Sequence, residues 1–333
     1  MNVKEINRYV NMLVGNLSFT MDYNHFVNGS KRLLIVEGQT DKKFIEKILN
    51  EDVVCLVANK AFGNQRGFDQ EEVKCKSAIM QVVYGMSKIP MLINCPKGSE
   101  KWIIFGMIDL DFDSPSSEYT STPRLFVTDT HDLETLLLST DKGLLQKLEE
   151  CIIPLEDAKK AFYLAYQMGI LRQVIHDATS EITLKPISGG GREEVDYSRF
   201  VEKYEINLKQ LLEYINEKNE TALSSAKLKK VLDKITSDKR MKKTINKEYK
   251  WNLSWMEFDP EKVSNFWELV NGHDILSLIR YINQDAAEKY NNKNNFFLNR
   301  DFELDLVGHY EYSKLRETKI YNDMLAENVV TLI

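Results

Sequence analysis

The chain has 333 residues, of which 43% are hydrophobic and 28% are charged, a composition typical of a folded protein with one large or two ordinary domains. Its formal net charge of −6 argues against a uniformly basic nucleic-acid binder. The four cysteines form no Cys-x-x-Cys pair, so a zinc ribbon and a disulfide framework are not expected. No segment resembles a signal peptide or a membrane span, and we therefore expect a soluble cytoplasmic protein without a membrane partner.

The first part of the chain alternates predicted strands with predicted helices. Residues 1–30 carry a short amphipathic helical pattern, which we interpret as an N-terminal helical extension. The predicted strands are the apolar run Leu33–Val36 and the segments Asp52–Ala58, Ile103–Asp109 and Arg124–Thr128. Three helices are predicted between or after these strands. The first is capped by Thr40, and the others cover Glu71–Ser87 and Leu133–Leu138. This alternation predicts an α/β domain over 31–140, with a mainly parallel sheet flanked by helices.

After about residue 140 the apolar spacing becomes helical. Helices are predicted at Leu144–Glu150, Leu155–Ile175 and Tyr197–Asn216, and another opens at Asn271. The Gly-rich segment Ser188–Arg192 is interpreted as a flexible joint. We therefore expect a helical second domain over 141–290 that binds a substrate or a partner. A C-terminal segment over 291–333 follows and ends in Val329–Ile333, a short strand or helix.

Acidic residues follow two of the predicted strands directly. Glu37 comes after the first strand and just before a helix, at the edge of an open α/β sheet where ligands bind. Asp109 and Asp111 come after the third strand, and in an extended chain they would share one face. Like charges this close need a cation or protons, and carboxylates are the oxygen ligands that Mg²⁺ prefers. The alternative is that these acids are ordinary surface caps of strand ends. Asp113 either supports the metal ligands from outside or is merely solvated.

A strand that ends in Glu37-Gly38, followed by a strand that ends in Asp109-x-Asp111, resembles the Toprim domain. That domain is the metal-dependent catalytic core shared by topoisomerases, bacterial primases and OLD-type nucleases. The resemblance covers 31–140 and implies that Glu37, Asp109 and Asp111 are catalytic and hold Mg²⁺, or Mn²⁺ in its place. Asp-x-Asp alone also occurs in haloacid dehalogenase-type phosphatases and glycosyltransferases, but the phosphatase pattern needs its first Asp where this chain has Glu37.

The fourth strand runs into a further acidic cluster of Asp129, Asp132 and Glu134. Together with Asn271-Gly-His273-Asp274, this layout resembles the AriB-type Toprim effectors of the PARIS phage-defence system, which are linked to ABC-family ATPases. The resemblance implies an endoribonuclease that cleaves tRNA under the control of an ABC-type ATPase partner. Glu134 is either an additional metal ligand or a charge favoured by the helix dipole. His273 either orients a phosphate or a carboxylate, or lies beside ordinary helix caps.

A basic stretch, Lys227–Lys250, contains ten Lys or Arg residues against three acids, which gives a net charge of 10 − 3 = +7. We expect Lys239, Arg240, Lys242 and Lys243 in this stretch to contact a nucleic-acid backbone, although a solvated helix face is the alternative. One localised patch favours a compact folded RNA over extended duplex DNA. Together with the resemblance to AriB-type effectors, this favours tRNA as the substrate. The aromatic candidates for base stacking beside this stretch are Tyr249, Trp251 and Trp255. Lys42, Lys43 and Lys60 follow the first two strands, near the predicted metal site, and are candidates for contact with the scissile phosphate; exposed helix lysines are the alternative.

The sequence leaves two other functions open. A Toprim DNA endonuclease is the alternative among enzymes. A non-catalytic module, in which the acidic loop docks a protein partner, is the alternative outside enzymes. A homodimer also stays open as an assembly.

Overall fold

The computed structural model describes residues 8, 9, 11–13, 32–62, 75–88, 103–111, 122–150, 155–178, 196–202, 205–207, 210, 211, 213, 214, 255–263, 265–290 and 302–333. The chain divides into two compact units. The first unit contains Met1–Thr140 together with Leu306–Ile333, and the second contains Asp141–Asp305.

A four-stranded parallel sheet forms the centre of the first unit. Its strands are β1 (Arg32–Val36), β2 (Val53–Val57), β3 (Ile103–Ile108) and β4 (Leu125–Val127). Their order in the sheet is β2-β1-β3-β4, and every neighbouring pair is parallel. Val36, the last residue of β1, pairs with Val57 on one side and Met107 on the other. The parallel sheet expected from the alternation of strands and helices is confirmed.

Helices flank this sheet, and apolar side chains bury both of its faces. The helices are α1 (Gln39–Ile45), α2 (Ala58–Phe62), α3 (Cys75–Lys88) and α4 (Leu133–Thr140). Leu33 and Ile35 of β1 pack on one face in a core shared with α2 and α3. At Gly106 of β3, an added Cβ would lie 2.4 Å from Cγ2 of Ile79, so α3 can approach the strand this closely only because a glycine is there.

The described residues of the second unit are mainly helical. Their longer helices are α5 (Lys142–Glu150), α6 (Leu155–Ala178) and α8 (Gly272–Tyr290), with the one-turn helix α7 (Phe266–Leu269) before α8. Gly169 lets α6 lie against the end of α7, since a Cβ there would be 2.3 Å from the carbonyl oxygen of Leu269. An ion pair between Arg172 of α6 and Asp274 of α8 joins these helices at 2.9 Å, and both side chains are buried.

The helix predicted over Tyr197–Asn216 is wrong in its first half. Residues Tyr197–Arg199 form a 3-10 turn, and the short strands β5 (Val201–Glu202) and β6 (Glu205–Ile206) pair antiparallel. Val201 and Ile206 pair across the two strands and are both buried, whereas the next pair, Glu202 and Glu205, is exposed, as expected for neighbouring residues of a strand. Over so few residues that alternation cannot be separated from helical spacing in the sequence.

The C-terminal residues return to the first unit. The helices α9 (Phe302–His309) and α10 (Lys319–Ala326) precede the last residues of the chain, which form one antiparallel bridge between Leu49 and Val330. Arg32 of β1 donates hydrogen bonds to the carbonyl oxygens of Asn328 at 3.0 Å and Glu327 at 2.5 Å. It also donates to the carboxylate of Asp52, so one side chain ties the start of the sheet to the end of the chain.

Several features predicted from the sequence fall outside the described residues. These are the joint Ser188–Arg192, the basic stretch Lys227–Lys250 with Lys239, Arg240, Lys242 and Lys243, and the side chains of Lys60, Asp113, Tyr249 and Trp251. Among the helices that are described, none combines the length and apolar character needed to cross a membrane.

Candidate functional site

Glu37 connects the ends of the two central strands of the sheet. It follows β1 directly, and its Oε1 accepts a hydrogen bond from the backbone N–H of Asp109, which follows β3, at 2.9 Å. Parallel strands end at the same edge, so the first acid after β1 meets the first acid after β3. Glu37 and Asp109 are each partly buried at this edge.

Asp41 belongs to the same edge, although it was not among the residues predicted from the sequence. The N-cap of α1 is Gly38, whose N–H donates to Oδ2 of Asp41 at 2.7 Å. Thr40, expected as the cap, lies inside the helix instead. The spacing Glu37-x-x-x-Asp41 was the available signal, since it places a second carboxylate in the first turn after the strand end.

The chain turns sharply after β3, which ends at Ile108 and not at Asp109. Asp111 has a φ of 50°, a left-handed conformation that Asp tolerates better than most residues. Its N–H donates to the carbonyl oxygen of His131 at 2.7 Å. The expectation that Asp109 and Asp111 share a face in an extended chain is therefore wrong, because the strand has ended before both of them.

A lysine from α3 holds this turn. Nζ of Lys76 donates to the carbonyl oxygens of Asp109 at 2.7 Å and Leu110 at 3.3 Å, and to Oδ2 of Asp111 at 2.7 Å. Other lysines were predicted for this edge from the sequence. Of those, Lys42 forms an ion pair at 3.4 Å with Glu46, the residue that follows α1, and Lys43 is exposed.

The segment between β4 and α4 contacts the turn 109–111 through hydrogen bonds. Thr128 accepts a hydrogen bond from the N–H of Leu110 at 2.9 Å and donates to the carbonyl oxygen of Thr130 at 2.8 Å. Asp132 caps α4, because its Oδ1 accepts from the N–H of Thr135 at 2.9 Å. Glu134 is buried in the first turn of the same helix.

Asp129 has a structural role that its position in the acidic cluster did not suggest. Its Oδ2 accepts from the backbone N–H groups of Lys319 at 2.7 Å and Ile320 at 3.4 Å, at the start of α10. A carboxylate at this position satisfies donors that the helix itself leaves unpaired. The structure thus separates Asp129 from Asp132 and Glu134, its neighbours in sequence.

Burial and mutual repulsion raise the pKa values of the two central carboxyl groups. Burial is the largest cause for Glu37, whose pKa rises to about 7; the charges of Asp111 and Asp41 add to the rise, while the hydrogen bond from Asp109 and the charge of Lys76 oppose it. Burial also raises the pKa of Asp109 well above its usual range, followed by the charges of Asp41, Glu37, Asp132 and Asp111. Any nearby cation would favour the charged forms of these groups.

The donor types at this edge fit a hard divalent cation, since carboxylate oxygens predominate. The side-chain positions fit less well. In the part of the chain that the structure describes, no group of three or more His, Cys, Asp or Glu side chains gathers closely enough to hold a metal ion. The oxygens of the turn 109–111 converge on Nζ of Lys76 instead.

Two residues of the motif at Asn271 make structural contacts in the second unit. Asn271 caps α8 through a hydrogen bond from the N–H of Asp274 to its Oδ1 at 3.3 Å, and the carboxylate of Asp274 pairs with Arg172. His273, which precedes Asp274 in the sequence, is partly buried. Trp255, a candidate for base stacking, lies 5.0 Å from Nζ of Lys160 in a cation–π contact.

Comparisons of this chain with protein-family models, with curated proteins and with solved structures found no match. The strand order and the geometry of the strand ends therefore carry the functional argument.

Proposed function

We propose that the first unit is a Mg²⁺-dependent nuclease of the Toprim type. Glu37, Asp109 and Asp111 would be its catalytic residues and metal ligands, and Glu134 would assist in holding the metal. The observation that carries the proposal is the hydrogen bond of 2.9 Å between Asp109 and Glu37 across two adjacent strand ends. Folding gains little from carboxyl groups whose burial and mutual repulsion raise their pKa values, whereas a site that binds a cation needs them.

The proposed site offers two contributions to phosphodiester hydrolysis, one from a bound cation and one from Glu37. A bound Mg²⁺, or Mn²⁺ in its place, would stabilise negative charge on the phosphate and make a water molecule more acidic. Without a bound cation, a pKa of about 7 lets Glu37 hold or release a proton near neutral pH, which suits a general acid or base. As a metal ligand it would act in its charged form, which the cation favours. Whether one or two ions take part stays open in this proposal.

The substrate and the regulation rest on the resemblance to AriB-type effectors. The proposed substrate is tRNA, and the proposed controller is an ABC-type ATPase that holds the nuclease inactive until phage infection. The basic residues Lys239, Arg240, Lys242 and Lys243 would contact the RNA backbone. The localised charge of +7 supports an RNA partner because the rest of the chain carries −6 − 7 = −13.

The test compares Glu37→Gln with wild type on tRNA and on plasmid DNA, each with Mg²⁺. Loss of one such ligand should lower cleavage by about 100-fold or more, because charge stabilisation in the transition state is lost. Glu51→Gln is the matched control, since Glu51 is exposed in the same unit and the change is chemically identical. Full cleavage by a folded Glu37→Gln protein would contradict the catalytic assignment.

The same assay separates the alternatives. Cut plasmid beside intact tRNA would favour the DNA endonuclease. No cleavage of either substrate, together with no rise in melting temperature on adding Mg²⁺ or Mn²⁺, would favour a docking module, because a docking loop needs no metal.

A further inference from the structure

Lys76 lies on the face of α3 that packs against the sheet. Ile79 and Val83 follow it one and two turns later on that face, and both would touch a Cβ at Gly106 of β3. The helix therefore lies along β3 with Lys76 near the end of the strand, where Asp109 begins. The side chain is only 19% exposed, although lysine is usually solvated.

The contacts of Lys76 are those of a bound cation. An ammonium group has three donors, and the structure gives Nζ three oxygen partners within 3.3 Å on the turn 109–111. Two are main-chain carbonyl oxygens and one is a carboxylate oxygen. Divalent cations take the same oxygen types in proteins. Lys76 also has charge to neutralise, since Asp41, Glu37 and Asp132 lie close enough to raise the pKa of Asp109.

We propose that Lys76 is a resident cation of the acidic edge, which neutralises the turn 109–111 and is displaced from Asp111 when a divalent ion binds. This inference rests on the proposed function, because the exchange requires a bound divalent ion. It explains why the oxygens of the turn converge on Nζ while no group of three acidic, His or Cys side chains among the described residues gathers around a common point.

A resident cation and a purely structural lysine predict opposite effects on metal affinity. If Lys76 only supported the turn, its removal would loosen the carboxylates and weaken metal binding. If it competes with the ion, its removal abolishes both the competition and the repulsion between like charges, and metal binding becomes tighter. The direction of change in Kd therefore distinguishes the two roles without any measurement of activity.

The experiment measures the Kd of Mg²⁺ and of Mn²⁺ by calorimetry for wild type, Lys76→Met and Lys76→Arg. Lys76→Met keeps most of the length of the side chain and removes its charge, and we expect it to bind Mg²⁺ about three- to tenfold more tightly. Lys76→Arg keeps the charge and should stay near wild type. Lys314→Met is the matched control, because Lys314 also pairs with a carboxylate, that of Glu311, but at a more exposed position of the same unit. If Lys76→Met does not fold, Lys76→Gln takes its place.

A double-mutant cycle in EDTA, with Lys76→Met and Asp111→Asn, tests the resting contact by itself. A favourable coupling between the two residues supports the resident cation, and additive effects on unfolding contradict it. Equal or weaker Mg²⁺ binding by Lys76→Met, in a protein whose wild type binds Mg²⁺, overturns the exchange alone. Failure of wild type to bind either ion overturns the proposed function and this inference together.

Discussion

At the scale of residues, the candidate site is held by single side chains that each join two elements. Glu37 joins β1 to the end of β3, and Lys76 joins α3 to the turn that follows β3. Asp132 caps α4, and its negative charge contributes to raising the pKa of Asp109. The charged carboxylates repel one another, and the site therefore favours the binding of protons or of a cation.

That preference predicts how the stability of the protein in EDTA depends on pH. The pKa of Glu37 is about 7 in the folded protein against 4.5 for an ordinary Glu, so the folded state binds this proton more tightly than the unfolded chain does. Its stabilising contribution is complete below the ordinary pKa and is lost as the pH rises through about 7. Between about pH 5 and about pH 8, Glu37→Gln should therefore gain stability relative to wild type. Urea denaturation at each pH measures the difference. A constant difference would contradict the raised pKa, and Glu51→Gln should show no such trend.

At the scale of elements, close helix contacts depend on particular glycines. Gly106 lets α3 approach β3, and this contact places Lys76 near the acidic turn. Gly169 has the same role between α6 and α7 in the second unit. In both cases the added methyl group would meet atoms that are already packed, at Gly169 the main chain itself.

Gly169→Ala should therefore lower the free energy of unfolding by about 1–3 kcal/mol, since the backbone of Leu269 must move. Gly308→Ala is the matched control, because among the described residues no atom outside its own helix and its chain neighbours lies within 4 Å of a Cβ at that position. We expect it to leave stability unchanged or to raise it by up to about 1 kcal/mol, from helix propensity. Thermal unfolding followed by circular dichroism measures both. Equal effects of the two substitutions would contradict the close packing of α6 on α7.

At the scale of the whole molecule, charge is distributed unevenly along the chain. The acidic edge belongs to the first unit, whereas the basic stretch Lys227–Lys250 belongs in sequence to the second. The proposed function assigns contact with the phosphate backbone to the basic stretch and cleavage to the acidic edge. The electrostatic part of that binding weakens with salt because counterions are released.

Replacing Lys239, Arg240, Lys242 and Lys243 by Gln should therefore weaken RNA binding. Its salt dependence should become shallower by about one unit of slope for each phosphate that is no longer bound. The control changes four lysines described on the surface, Lys142, Lys262, Lys314 and Lys319, to Gln, which lowers the net charge equally. Fluorescence anisotropy with labelled tRNA at several salt concentrations measures both variants. If both lose affinity to the same extent, net charge matters and the basic stretch does not.

The sequence by itself determined the strands and their direction. A short apolar run such as Leu33–Val36, rich in β-branched residues, is typical of a buried strand, and helices between successive strands favour parallel pairing. It also indicated Glu37 and Asp109, because an acid directly after a buried strand lies at the strand end whatever the order of strands. By contrast, the hairpin at β5 and β6 was too short for its two-residue period to be recognised.

Only the tertiary structure decided which residues meet at the acidic edge. Lys76 reaches Asp111 because α3 packs on β3. Asp129 lies apart from the cluster because its carboxylate binds the backbone N–H of Lys319 at the start of α10, 190 residues further along the chain. Local periodicity records which side of an element is buried, but it contains no information on which distant element covers that side. Polar contacts over such separations depend on strand order and helix packing, and those are properties of the folded chain.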